Sequence, residues 1–98
     1  MSDNLKKIKE KITPILKANN VSYCAVFGSF ARGEEREDSD IDFVVNFNSP
    51  KSLFDFAGIK LDLEEVLNRE VDLVMKNNIK PLIKSKIEKS LITLYEER

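Results

Sequence analysis

The sequence predicts an α/β (α+β) domain, a small sheet flanked by helices, and three observations carry that expectation. Apolar residues recur at helical spacing near both ends and in the middle of the chain. Short β-branched and aromatic runs stand between those stretches, and Gly, Asn and Pro fall at the borders. The resulting order is helix, strand, strand, helix, strand, helix, which packs as helices on a sheet.

Taken in order, Leu5, Ile8, Ile12, Ile15 and Leu16 mark one helical face, lysines fill the other positions, and Asn19-Asn20 stops the helix. Val21 to Phe27 is a strand closed by Gly28. Ser29 to Ser39 is a turn and charged connection with Gly33 and the acids Glu34, Glu35, Glu37 and Asp38. Asp40 to Phe47 is the second strand. Ser49-Pro50 opens a helix, serine capping free amides and proline pre-set at the first helical position. Its apolar drift is Leu53, Phe56, Ala57, Leu61 and Leu67, interrupted by Glu64 and weakened by Gly58. After Asn68-Arg69-Glu70, Val71 to Met75 is the third strand. Beyond Asn77-Asn78 and Pro81, the series Leu82, Ile83, Ile87, Leu91 and Leu94 predicts a last helix.

The 98 residues suit one domain spanning 1–98, with a self-standing core and no room for a second. The lone cysteine, Cys24, rules out a disulfide, and its apolar neighbours place it in the core rather than at a reactive site. The absence of histidine excludes a Ser-His-Asp triad, a Cys-His pair and any His-containing zinc site. Carboxylate and metal chemistry remain. The first ten residues hold neither a secretory signal nor a membrane span, so a cytoplasmic location is expected. Sixteen basic against seventeen acidic residues argue against gripping a long nucleic acid, while a single nucleotide stays compatible.

The most informative feature is Gly28-Ser29, followed after ten residues by Asp40-Ile41-Asp42, with Asp72 in the next apolar run. Glycine lets a backbone approach an anion closely, and Ser29 adds a hydroxyl for a phosphate oxygen. Arg32, one turn on, is within reach of the same phosphates or of a leaving group. On a strand, Asp40 and Asp42 project from one side, and Ile41, Phe43 and Val45 form the opposite, core-facing row. Asp38 competes with Asp40 for the first position, having the same spacing. If the strand carrying Asp72 pairs beside them, three carboxylates meet in one small volume. Such a volume suits Mg²⁺ with phosphates as its remaining ligands. Each acid also has a plainer role to weigh, a solvated strand end for Asp40 and Asp42 and an exposed sheet face for Asp72.

The string Gly28-Ser29-Phe30-Ala31-Arg32-Gly33 through Ser39-Asp40-Ile41-Asp42-Phe43-Val44-Val45 resembles the MNT-type minimal nucleotidyltransferases of the DNA polymerase β-like nucleotidyltransferase superfamily. The likeness runs on through Leu53-Phe54-Asp55, Val71-Asp72-Leu73-Val74 and Lys80-Pro81-Leu82-Ile83 to Leu94-Tyr95. It implies a nucleotidyltransferase fold, a small mixed sheet flanked by helices. It further implies that Asp40 and Asp42 hold two Mg²⁺ ions, that Asp72 completes the ion that activates the nucleophile, and that Gly28 and Ser29 hold the β- and γ-phosphates of ATP. Larger members carry an additional domain that shapes the acceptor pocket, so here a partner protein is expected to supply the acceptor. In similar proteins the partner is a HEPN-family RNase toxin, and AMP is transferred to one of its tyrosines. Two other functions compete: a non-catalytic module that neutralises its partner by contact through amphipathic terminal helices, and nucleotidyl transfer to a small molecule.

Overall fold

Two antiparallel strands, β1 (Val21–Phe27) and β2 (Ile41–Phe47), form the centre of a four-stranded sheet in the computed structural model. The structure describes residues 2–97, and for Lys86 the backbone alone. β3 (Val71–Met75) pairs parallel to β2, and β4 (Ile92–Glu96) pairs antiparallel to β1, giving the order β3-β2-β1-β4. The sheet is therefore mixed, and β3 and β4 are its edges. A parallel pair needs a crossover, and the helix between β2 and β3 provides it.

The face of the sheet bearing Cys24, Val26, Ile41, Phe43 and Val45 is covered by two helices. The first, α1 (Asp3–Ala18), buries Leu5, Ile8, Ile12 and Leu16, the expected stripe, and Ser2 caps it by accepting from the Leu5 amide. The crossover helix is named α3 (Leu53–Leu67), because a four-residue helix, α2 (Ser29–Arg32), precedes it between β1 and β2. On the opposite face α4 (Pro81–Lys89) lays Ile87 against Ala25, Phe27 and Val44.

Four expectations need correction. The helix predicted to open at Ser49-Pro50 begins at Leu53, capped by Ser52, whose side chain accepts from the Asp55 amide while Asp55 accepts from the Ser52 amide. That reciprocal pair satisfies two donors, which Ser49-Pro50 has no acid in place to match. The buried face of α3 is Ile59 and Leu63, with Phe56 and Leu67 half-buried, whereas Leu53 and Leu61 are exposed. Glu64 interrupts that stripe for a reason: its Oε2 accepts the Val71 amide at the start of β3. The last helix stops at Lys89, and residues 92–96 pair with β1, because β-branched Ile92 and Thr93 fit an open sheet edge better than a helix. Finally, the purely apolar Val71, Leu73 and Val74 around Asp72 predict an interior strand, whereas β3 is an edge strand.

Candidate active site

Three segments meet at one end of the sheet: the turn that leaves β1, the start of β2 and the start of β3. Phe27 is the register partner of Asp42, and Asp42 is the register partner of Asp72. Parallel register places the two acids side by side on the face that Val44 and Val74 continue. Asp42 is half-buried, while Asp40 and Asp72 are exposed. The row opposite is the expected one, with Ile41, Phe43 and Val45 all buried.

Partial burial, the Asp72 charge and hydrogen bond, and the Asp40 charge together push the Asp42 carboxyl from its ordinary 3.8 up to about 6. Arg32 opposes this weakly with its positive charge. Asp42 and Asp72 are thus cross-strand neighbours in register, and the Asp40 charge acts on Asp42 from two residues back. Asp38 lies exposed in the preceding loop. The residues 28–33 wind into α2, with Arg32 N–H donating to the Gly28 carbonyl (3.1 Å) and Glu34 N–H to the Ser29 carbonyl (2.9 Å). Gly28 sits at φ 72° and ψ −149°, a conformation that is essentially restricted to glycine. A side chain there would also strike the Asp42 carboxylate. Gly28 was singled out from the sequence as a backbone able to approach phosphate; the structure adds that its missing side chain makes room for Asp42.

Phe27, Gly28, Ser29, Arg32, Ser39, Asp40 and Asp42 line a cleft of about 360 Å³. A larger open groove, about 700 Å³, runs along the outer side of α1 and shares no residue with it. Chemistry favours the smaller, because the titratable groups meet there. Arg32 reaches the cleft wall but also pairs with Glu34 (Nε to Oε2, 3.1 Å). That is the one ion pair among the described residues, so among them no basic side chain pairs with Asp40, Asp42 or Asp72.

The donor set suits a hard divalent cation: all oxygen, negatively charged and, among the described residues, without a basic ion-pair partner. Among the described residues no three acidic, cysteine or histidine side chains stand close enough to form a ready-made cage. Full convergence of the three acids is thus reduced to a register-paired Asp42 and Asp72 with Asp40 two residues away along the chain from Asp42. This still fits Mg²⁺, which commonly takes one or two carboxylates and draws its other ligands from water and substrate phosphates. Cys24 plays no part, since burial pushes its thiol up to about 12 and leaves it inert.

Residues 10–98 match the family model described as "Polymerase beta, Nucleotidyltransferase", and the chain belongs to that family of nucleotidyl-transferring enzymes. A Methanocaldococcus jannaschii chain named "Putative protein adenylyltransferase MJ0435" is 49% identical over 84 residues, covering 86% of this chain and 90% of the relative. A crystal structure of a toxin-antitoxin with AMP-PNP superposes with a TM-score of 0.79 at 22% identity, over 92% of this chain and 74% of the other. A Shewanella oneidensis complex, a tri-AMPylated HEPN toxin with its MNT antitoxin, superposes at 0.73 with 19% identity, over 94% and 72% of the two chains. At those identities the structural likeness is one of fold.

Proposed function

We propose that the protein transfers AMP from ATP to a tyrosine hydroxyl of a HEPN-family RNase toxin, with Mg²⁺, and acts in the cytoplasm as that toxin's antitoxin. Residues 1–98 then form one nucleotidyltransferase domain. The observation that carries this reading is the Asp42–Asp72 pair, in register, with Asp42 packed against Gly28 and, among the described residues, no ion pair to either acid. The fold-sharing complexes support the choice of substrates, one containing AMP-PNP and the other a tri-AMPylated HEPN toxin.

Gly28 and Ser29 hold the terminal phosphates, the glycine by backbone approach and the serine by its hydroxyl. Asp40 and Asp42 would hold the two Mg²⁺ ions, and Asp72 would complete the one on the acceptor side. Asp72 suits that side because β3 is an open edge and its side chain is exposed. When bound, Mg²⁺ supplies charge stabilisation to both the attacking and the leaving oxygen of an in-line displacement. The tyrosine oxygen bonds to the α-phosphorus as the bond to pyrophosphate breaks, and the hydroxyl proton leaves to water. Arg32 brings positive charge to the cleft where pyrophosphate departs.

Incubating the toxin with this protein, ATP and Mg²⁺ is expected to add the mass of one or more AMP units to the toxin. Asp42→Asn is expected to abolish the addition. If neither protein changes the toxin's mass while both relieve its toxicity, catalysis is not the mechanism.

One observation favours a second reading, neutralisation by contact. Leu53, Phe54 and Leu82 are 87%, 91% and 88% exposed, a large apolar display for so small a chain. The apolar face of α1, by contrast, is consumed by the core and is not free to dock. Contact alone predicts toxin binding without nucleotide and indifference to Asp40→Ala.

A further inference from the structure

We propose that Arg69 is a positioning residue that locks the three segments of the active site together and so sets the affinity for Mg²⁺. The inference rests on the reading above. Arg69 lies in the short link between α3 and β3, three residues before Asp72. Its Nη1 is within hydrogen-bonding distance of three backbone carbonyls of the loop that leads into β2: Arg36 (3.0 Å), Glu37 (2.9 Å) and Ser39 (3.0 Å). The last is the carbonyl that immediately precedes Asp40. The guanidinium also lies 5.1 Å from the centre of the Phe30 ring, and Phe30 directly follows Ser29. One side chain therefore touches the segment of Gly28-Ser29 and the segment of Asp40, and it is anchored next to the strand of Asp72.

The loop needs such a device. Residues 34–40 form neither helix nor strand, and their own ties are few: Ser39 N–H to the Arg36 carbonyl (3.1 Å) and Arg36 N–H to Ser39 Oγ (2.8 Å). Hydrogen bonds from a charged donor are about twice as strong as neutral ones, and a planar guanidinium can donate along its edge while its face rests on a ring. Asp40, at the end of this loop, is exposed and unpaired by any basic group among the described residues. Its direction is therefore governed by the backbone that Arg69 holds. Arg69 acts on Asp40 through the backbone, and loss of groups that orient a metal ligand from outside typically weakens metal binding by about 10–100-fold.

Arg69→Met keeps much of the stem and removes every donor, whereas Arg69→Lys keeps the charge but loses the planar fork. In the full chain, Arg69→Met is expected to raise the Mg²⁺ concentration for half-maximal AMP transfer by about 10-fold or more. At saturating Mg²⁺ its kcat should recover most of the wild-type value. Amide hydrogen exchange at residues 36–40 should accelerate while that of β1 stays unchanged. Arg69→Lys should fall between, and it decides the matter if the methionine variant does not fold. A purely structural role would lower the melting temperature and leave Mg²⁺ dependence at wild-type values in the protein that remains folded. That result, or unchanged exchange in the loop, overturns the proposal. A wild-type protein that transfers nothing overturns the proposed function itself, and this inference with it.

Discussion

Gly28 and Asp42 compete for one space, and that competition defines the residue scale of the site. Gly28→Ala must place a methyl group on the Asp42 carboxylate while adopting φ 72°. The backbone strain alone costs about 1–3 kcal/mol. Displacing Asp42 by an ångström is expected to lower transfer by about 100-fold. Rate measurements paired with a melting curve separate the two effects; a variant that melts early yet keeps its rate at low temperature contradicts the packing argument. Asp42→Asn should act in opposite directions on stability and function. It removes a like charge directly opposite Asp72, so the metal-free protein at pH 7 should gain up to about 1 kcal/mol while losing transfer. Urea unfolding with and without the substitution checks the sign. The acids and their core-facing neighbours were legible in the sequence because period-two alternation separates Asp40 and Asp42 from Ile41, Phe43 and Val45. The Gly28–Asp42 contact was not, since it depends on β1 and β2 being paired in a register that spacing does not reveal.

At the scale of elements, β1 and β3 were read with their observed bounds because each is a β-branched run closed by residues that break it. β4 was hidden. Leu91 and Leu94 continue the three- and four-residue spacing of α4, so periodicity alone carries the helix past its true end. Burial now distinguishes the two positions: Leu94 is 2% exposed and Leu91 is 42% exposed. Leu94→Ala should cost about 2–5 kcal/mol, and Leu91→Ala should stay well below that. Equal losses in urea unfolding would argue that 92–96 is not a strand of this sheet. The face of α3 was misread for a related reason. Leu53 and Leu61 satisfy the helical spacing but sit on the outer side, and only the packing against α1 and the sheet selects Ile59 and Leu63. Arg69 gave no signal at all, because its contacts span some 30 residues of sequence and involve carbonyls that any residue could offer.

The whole molecule carries the electrostatic consequence. A carboxyl whose folded value lies above its unfolded one binds protons more readily in the folded chain, so folding is favoured while that proton stays on. For Asp42 that contribution is fully present below about 4 and fades as pH rises through about 6. Metal-free protein should therefore lose stability across that window, and Asp42→Asn should flatten the loss. Mg²⁺ with nucleotide binds the ionised acids, so it should restore stability above pH 6 and do little below it. Ligand at a hundred times its dissociation constant adds about 2.7 kcal/mol, which a melting curve resolves easily. A metal-free stability that rises through this window would contradict the placement of Asp42 against Asp72.

The central claim is that these acids, with Gly28 and Ser29, form a magnesium-dependent nucleotide site. Calorimetric titration of the protein with a non-hydrolysable ATP analogue, at pH 8 with and without Mg²⁺, tests it most directly. The account predicts binding that requires Mg²⁺, weakens below about pH 6 and disappears in Asp42→Asn. Binding of equal strength with or without the metal, or in the Asp42→Asn protein, would contradict it.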